Sequence, residues 1–203
     1  WLVWLSSFTI LTASIIAISK DDLKARLAYS TISQLSYIIL GAALATTFAL
    51  KGASFHIITH ALGKITLFFC AGAIYVTAHV KKISELGGLG FKTPMIFFAY
   101  TLGALSIIGV PPLIGSWSKL FLVIGSLEAD FLFVAILLGI SSLLNIYYLL
   151  QPVFIAFNKK NIKNINITKA PLTIWPPVIT GVGCLFLFFF SNYFLNIING
   201  VVA

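Results

Sequence analysis

Three protonatable residues recur at four-residue spacing within one apolar run. They are His56, His60 and Lys64. On a helix, positions i, i+4 and i+8 fall on one stripe, and histidine changes charge near neutral pH, so the stripe predicts a proton pathway. A metal site would need further ligands, and no nearby carboxylate supplies one. Two core histidines with a structural lysine are the other interpretation.

Lys119 is a second basic residue inside a long apolar run. It follows a cluster made of Gly109, Pro111, Pro112 and Gly115. Proline removes a backbone donor and clashes with the preceding turn, so this cluster should open the helix. Broken helices mark ion and substrate sites in many transporters. A simple kink without function is the alternative interpretation.

Two lysines in one interior would repel each other when both are charged, and this would couple their protonation states. A lysine at mid-membrane is costly unless it faces a polar interior, so Lys64 should face one. The acidic residues lie near the ends of the apolar runs, at Asp21, Asp22, Glu85, Glu128 and Asp130. A carboxylate partner for either lysine should therefore come from another segment or chain.

Smaller polar residues could hold water between these sites. Those in the second run are Ser33, Gln34, Ser36 and Tyr37, and those in the fifth run are Ser141, Ser142, Asn145 and Tyr148. Hydrogen bonding between packed helices explains such residues without any transport.

The composition indicates an integral membrane protein. Of 203 residues, 60% are hydrophobic and 9% are charged, and the mean hydropathy is +1.06; a soluble domain carries about 25% charged residues, and disorder needs low hydrophobicity. The net charge of +8 does not indicate nucleic-acid binding, because the basic residues lie between apolar runs. Cys70 and Cys184 lie inside such runs and form neither a disulfide framework nor a metal motif. The chain opens at Trp1 without a signal-peptide pattern, and we expect it to be part of something longer or a processed product.

Charged residues divide the chain into six apolar runs, each long enough for a spanning helix. The runs are Leu2–Ser19, Leu27–Leu50, Gly52–Val80, Thr93–Leu127, Phe131–Asn158 and Leu172–Ala203. We therefore expect an all-α integral membrane fold of six transmembrane helices, with the fourth discontinuous. A re-entrant segment in place of one helix is the alternative.

The basic residues favour one orientation. Ten of the 13 lie in the first, third and fifth loops, and among the other loops only Lys51 appears. Loops rich in lysine and arginine stay on the cytoplasmic side. We therefore expect a multi-pass protein of the inner (cytoplasmic) membrane with both termini on the non-cytoplasmic side.

Four segments resemble the antiporter-like, proton-translocating subunits of respiratory complex I (NADH:quinone oxidoreductase) and of Mrp-type Na⁺/H⁺ antiporters. The segment from Asp22 to Tyr37 resembles the family's DxKRxLAYSTISQxGY signature, and that from His56 to Phe68 its HxxxHAxxKxxLF segment. The family's GGL…P loop is similar to Gly87-Gly88-Leu89 followed by Thr93-Pro94. The segment from Gly109 to Lys119 resembles the GxPPxxGFxSK of its discontinuous helix, with Ser116-Trp117 replacing Gly-Phe.

The resemblance implies a fold of two inverted five-helix bundles, of which this chain holds the second bundle and the last helix. Residues 1–158 would be the C-terminal antiporter-like bundle, 159–171 a cytoplasmic loop, and 172–203 the terminal transmembrane helix. It implies that Lys64 lines the central hydrophilic axis beside His56 and His60, and that Lys119 serves the exit toward the non-cytoplasmic side. The signature from Asp22 to Arg26 would be structural. The first bundle, with its glutamate–lysine pair, is not in this chain.

The sequence thus favours proton translocation, with Na⁺/H⁺ exchange as a variant, by a fragment or split subunit of an antiporter or complex I-like assembly. Its partners would be other membrane subunits, protons, Na⁺ and the lipid bilayer. The alternative is a structural remnant that packs in a membrane complex without conducting. We find no flavin, nicotinamide or cluster motif, so no cofactor is predicted and any NADH chemistry would belong to partner subunits.

Overall fold

The computed structural model describes residues 1–158, 168 and 170–202, and helices make up most of that part of the chain. The helices are α1 Leu2–Ser19, α2 Leu23–Leu44, α3 Thr47–Ala78, α4 Leu89–Lys92, α5 Pro94–Ile108, α6 Gly115–Glu128, α7 Leu132–Ala156, α8 Trp175–Phe189 and α9 Ser191–Val202. Two short 3₁₀ turns, Ile83–Glu85 and Pro171–Thr173, complete the regular elements. The predicted all-α fold class is confirmed.

Five helical segments are long and apolar enough to cross a bilayer. They are α1, α2, α3, α7 and the segment Pro171–Phe189, while α5 is a shorter apolar helix. The count of six spans stays a prediction. The predicted loop from 159 to 171, with Lys159, Lys160, Lys163 and Lys169, lies largely outside the described residues.

Two boundaries differ from the sequence expectation. The turn between α2 and α3 is at Ala45 and Thr46, because Thr46 accepts a hydrogen bond from the Ala49 amide (3.3 Å) and caps α3. Lys51 therefore lies in an early turn of α3 and not in a loop, with its ammonium 5.6 Å from the centre of the Phe48 ring. Arg26 likewise lies in the first turns of α2.

The end of the chain also differs. Two helices, α8 and α9, replace the one helix predicted over 172–203, and Phe190 between them is not helical. Serine and asparagine compete for backbone hydrogen bonds in a helix, and Ser191 and Asn192 follow Phe190. The Tyr193 amide donates to the Phe190 carbonyl (3.0 Å) and closes a tight turn there.

The fourth apolar run is broken where the sequence predicts. Helix α5 ends at Ile108, and the next residue, Gly109, caps it with φ +89°, a conformation that suits glycine. The residues between Gly109 and Gly115 include a cis Pro111–Pro112 bond, and α6 begins at Gly115. The predicted discontinuous helix is confirmed, and the break places Lys119 in the first turns of α6.

Helix α3 runs through the middle of the bundle and packs against α2, α5, α6 and α8. Its contact with α6 is close, since a Cβ atom on Gly52 would lie 2.7 Å from the Leu122 amide nitrogen. Small residues allow such close helix approach in membrane bundles. The polar side chains of α3 are thereby brought against those of α6.

Hydrogen bonds between Asp21 and Ser84, which we call the Asp21 staple, join the loop after α1 to the loop after α3. The carboxylate of Asp21 accepts hydrogen bonds from the Ser84 hydroxyl (2.7 Å) and the Ser84 amide (3.0 Å). The Leu23 amide donates to the Lys81 carbonyl (3.0 Å). The Ser84 hydrogen bonds lower the pKa of Asp21 below its usual value.

Ser84→Ala is expected to lower thermal stability, and the loss should depend on pH. A carboxyl whose pKa is lower in the folded state stabilises the fold above its unfolded pKa, and this contribution disappears as the pH falls through the folded pKa. The melting temperature in detergent should therefore be lower than wild type at pH 7. The difference should shrink below about pH 4. Ser19→Ala, at the end of α1, should show no such pH trend, because its hydroxyl donates to the Ile16 carbonyl of its own helix. A pH-independent Ser84→Ala effect would contradict the staple.

Candidate functional site

Lys64 lies near the middle of α3 and is 5% exposed. Its Nζ donates to the Ser30 hydroxyl (2.6 Å) and to the Leu27 carbonyl (3.2 Å), both on α2. These oxygens are neutral, and all five carboxylates of the chain lie in loops or at helix ends. A hydroxyl can accept from an ammonium or donate to an amine. Ser30 can therefore bind Lys64 in either protonation state.

The hydrogen bonds continue from Ser30 into α7. The Tyr148 hydroxyl lies 3.1 Å from the Ser30 hydroxyl and also contacts the amide oxygen of Asn145. The Gln34 amide of α2 donates to that same oxygen of Asn145 (3.3 Å). Because a phenol carries one proton, Tyr148 can donate to only one of its two neighbours at a time. The group is able to switch partners, as a proton relay requires.

Lys119 lies beside a cavity of about 280 Å³ between α2, α6 and α7. Its Nζ donates to the Ser142 hydroxyl (3.0 Å) and lies 5.4 Å from the centre of the Tyr37 ring. A Cβ atom on Gly109 would lie 2.9 Å from Lys119 Cδ, so the helix break makes room for the stem of this lysine. A cavity of this size can hold several water molecules.

His56 lies on the face of α3 that packs against α6. Its Nδ1 is 3.1 Å from the Ser118 hydroxyl, and its ring stacks on Tyr37 with centroids 5.2 Å apart. His60 is 6.2 Å from His56 by ring centroids and is partly exposed. The structure thus brings His56 close to α6, whereas Lys64, two turns along α3, contacts α2.

Several buried polar atoms around these residues have no hydrogen-bond partner within the described part of the chain. They are Gln34 Oε1, the Tyr37 hydroxyl, His56 Nε2, His60 Nε2, the Ser141 hydroxyl and Asn145 Nδ2. Leaving a buried polar group unpaired costs about 1–3 kcal/mol. Such a row of atoms favours binding of water.

The polar residues of α2 and α7 follow helical spacing and face one another. Ser30, Gln34 and Tyr37 occupy positions i, i+4 and i+7 of α2, so they share one face. The Lys64 ammonium donates to Ser30, and the Lys119 ammonium lies over the ring of Tyr37. The rise between Ser30 and Tyr37 is about 10 Å. One short polar face therefore connects the surroundings of the two lysines.

Two contacts of this site were not singled out by the sequence, Ser30 beside Lys64 and Ser118 beside His56. Ser30 precedes Gln34 by one helical turn, and that spacing is a usable signal. Ser118 carries no such signal, because its contact depends on how α6 packs against α3.

Arg26 is a buried cation that the sequence assigned to a loop. It is 4% exposed, and its guanidinium donates to the carbonyls of Ile18 (3.2 Å) and Lys20 (2.9 Å) at the end of α1. It also donates to the Gln151 amide oxygen on α7 (2.5 Å). These contacts join three helices, as the structural role implied for this signature requires.

The sequence matches a known protein family over most of its length. The model described as "NADH:quinone oxidoreductase/Mrp antiporter, TM" matches residues 1–145. This chain belongs to that family. The matched residues include His56, His60, Lys64 and Lys119. With its five long apolar helices, this antiporter-like chain is a membrane-embedded, multi-pass member of the family.

Curated relatives of this antiporter-like chain are subunits of oxidoreductases. It is 42% identical over 157 residues to the NADH-quinone oxidoreductase subunit N of Desulforudis audaxviator, a match that covers 77% of this chain and 31% of that protein. It is 40% identical over 111 residues to the F(420)H(2) dehydrogenase subunit M of Methanosarcina mazei, covering 55% and 22%. The antiporter-like chain thus spans about a third of those relatives or less.

Solved structures share the fold of the antiporter-like chain. A chain of the Mrp complex from Dietzia sp. superposes with a TM-score of 0.90 at 22% identity, covering 100% of this chain and 46% of that one. A chain of respiratory complex I from Thermus thermophilus with bound NADH gives 0.89 at 21% identity, covering 99% and 43%. These two likenesses show the fold.

Proposed function

We propose that the chain carries protons across the membrane along the polar face between Lys64 and Lys119. The observation that supports this most directly is the pairing of two embedded lysines with neutral oxygens. Lys64 is held by Ser30 and the Leu27 carbonyl, and Lys119 by Ser142. An ammonium held by a neutral hydroxyl loses no ion pair when it gives up its proton. Both lysines are therefore suited to load and release protons.

The unpaired atoms between the lysines supply the route. Water bound to the Gln34, Ser141 and Asn145 side chains would extend the hydrogen bonds of Tyr148 toward Tyr37. In this proposal Lys64 is the central carrier, His56 and His60 are further exchange positions on α3, and Lys119 passes protons to the non-cytoplasmic side. Charge on one lysine disfavours charge on the other, so a proton that reaches the first promotes release from the second.

The charges favour protons over Na⁺ as the transported ion along this face. A bound Na⁺ needs several oxygen ligands and is disfavoured near a positive charge. The face carries two lysines, and the carboxylates of the chain lie at helix ends. Exchange with Na⁺, if the assembly performs it, would then use a separate site.

The relatives support the kind of assembly in which the chain would work, and the lysine-rich loops support its orientation. Those relatives are subunits of NADH-quinone oxidoreductase and F(420)H(2) dehydrogenase, and the superposed structures are an Mrp complex and respiratory complex I. We infer that this chain works beside other membrane subunits in such an assembly in the inner membrane, with both termini non-cytoplasmic. Residues 1–158 would form its transport unit, 159–171 a cytoplasmic loop, and the helices that follow its terminal element.

Replacing Lys119 tests the proposal. In the complete assembly reconstituted into vesicles, Lys119→Met should lower proton translocation more than about ten-fold, because a proton-transfer group has been removed. The measurement is quenching of a pH-sensitive dye after the assembly is energised. Lys51→Met is the matched control, since it removes a lysine of α3 that lies at the helix end beside Phe48.

The same experiment separates transport from the structural alternative. Wild-type translocation in Lys119→Met, at wild-type subunit content, would contradict the proposal and leave a packing role. A decrease of equal size in Lys51→Met would assign the effect to lost positive charge and not to the polar face.

A further inference from the structure

A cleft of about 270 Å³ lies where the start of α2 meets the end of α3. Its lining includes Asp22 and Lys24 from α2, Tyr75 from α3, and Lys81 from the following loop. The cleft lies on the lysine-rich side of the chain, away from the polar face between Lys64 and Lys119. The proposed proton route does not use it, and the Asp21 carboxylate does not line it, although the hydrogen bond from Leu23 to Lys81 lies at its edge.

Two lysines converge on one aromatic ring in this cleft. The Nζ of Lys81 lies 5.0 Å and that of Lys24 lies 5.6 Å from the centre of the Tyr75 ring. The carboxylate of Asp22 already accepts a hydrogen bond from the Ala25 amide, as the cap of α2. Two cations held at one ring attract an anion, and a phosphate group can bind both.

Beside the cleft, the exposed face of α3 from Tyr75 to Phe68 is apolar, and we call this face the apolar groove. Phe68, Gly72 and Tyr75 occupy positions i, i+4 and i+7, so they share one face of the helix. Phe68 is 36% exposed and Tyr75 is 37% exposed. A Cβ atom on Gly72 would meet no neighbouring element within 4 Å, and a second, separate cavity of about 300 Å³ lies between Phe68 and Gly72 on one side and the segment 172–177 on the other.

We propose that this cleft and groove bind an anionic phospholipid. The phosphate lies between Lys24 and Lys81 beside Tyr75, and an acyl chain lies along Phe68 and Gly72. The combination of a cationic end and an apolar groove selects the lipid over a soluble anion, because only the lipid fills both. Basic pockets at the cytoplasmic ends of transmembrane helices bind acidic headgroups in this way.

The test measures lipid selectivity of the full protein in phosphatidylcholine bilayers. Electron paramagnetic resonance of spin-labelled phosphatidylglycerol and phosphatidylcholine gives the ratio of their association with the protein. The variant is Lys24→Gln with Lys81→Gln. The control, Lys20→Gln with Lys82→Gln, removes the same charge from the same side but outside the cleft.

The wild type and the control should associate more strongly with phosphatidylglycerol than with phosphatidylcholine. In the cleft variant, the ratio of these two associations should fall about five-fold or more. A second variant, Gly72→Phe, fills the groove and keeps both lysines. It should weaken lipid association and leave the displacement of labelled lipid by inorganic phosphate unchanged.

Three outcomes would overturn the proposal. Equal selectivity in the cleft variant and the wild type would mean that protein covers the cleft. Equal loss in the control would mean that general surface charge attracts the lipid. An unchanged preference in Gly72→Phe would mean that the lysines bind a phosphate group and nothing of the lipid chain. Proton translocation is not the readout, so these outcomes are independent of the transport proposal.

Discussion

Lys64→Met is expected to abolish proton translocation by the assembly, with a decrease of more than about a hundred-fold. The Lys64 side chain is 5% exposed. Methionine keeps much of its length and fills the same space. It has no proton to load, so Ser30 and the Leu27 carbonyl lose the donor they share. The rate is measured by dye quenching in vesicles, at subunit content checked on the same sample.

Lys64→Arg distinguishes a proton carrier from a structural cation. Arginine stays protonated in proteins, so it keeps the charge and the hydrogen bonds to α2 but cannot release a proton. We expect assembly at wild-type levels with translocation as low as in Lys64→Met. Wild-type translocation in Lys64→Arg would show that the position needs a charge and not a mobile proton.

Ser30→Ala is the milder companion to these variants. It removes the hydroxyl that joins Lys64 to Tyr148 and leaves the Leu27 carbonyl in place. A rate between those of the wild type and Lys64→Met is consistent with a relay through Tyr148. Thr101→Ala is the control, because its hydroxyl donates to the Phe97 carbonyl of its own helix α5, whereas Lys64 donates to oxygens of α2.

The sequence predicted the fold class and the broken helix because both depend on local signals. Apolar runs of about 20 residues leave helices as the main choice in a bilayer. Gly109, Pro111 and Pro112 disfavour helix wherever they lie, and the structure interrupts the helix there. The stripe of His56, His60 and Lys64 was equally accessible, since it requires only helical periodicity.

The partners of those residues depend on contacts between helices far apart in the chain. Lys64 meets Ser30, 34 residues away, and His56 meets Ser118, 62 residues away. No periodicity within one helix indicates which face of its neighbour it will meet. The break at Phe190 was missed although Ser191 and Asn192 directly follow it, because the run after Pro177 contains no charge or proline and its composition favours one long helix.

Arg26 shows the same limit and leads to the second large effect. Next to Lys24 at the end of an apolar run, it looked like one more basic residue of a loop. In the structure it is buried, and it bonds to the carbonyls of Ile18 and Lys20 and to Gln151. Carbonyls at the end of α1 have no partner within their own helix. A cation there also interacts favourably with the helix dipole.

Arg26→Met is therefore expected to destabilise the fold by about 3 kcal/mol, because three half-buried oxygens lose their donor at once and an unpaired buried polar group costs about 1–3 kcal/mol. The free energy of unfolding is measured by titrating dodecyl sulfate into mixed micelles and following helical circular dichroism. Lys24→Met, on the same turn of α2 but exposed, should change it by less than about 0.5 kcal/mol.

Arg26→Lys separates charge from geometry. A lysine keeps the charge near the end of α1, but its single nitrogen cannot contact Ile18, Lys20 and Gln151 in the positions that three guanidinium nitrogens occupy. We expect it to recover less than half of the lost stability. Full recovery would mean that charge near the dipole of α1 is sufficient, and that the join to α7 through Gln151 adds nothing to the stability of the bundle that holds Lys64.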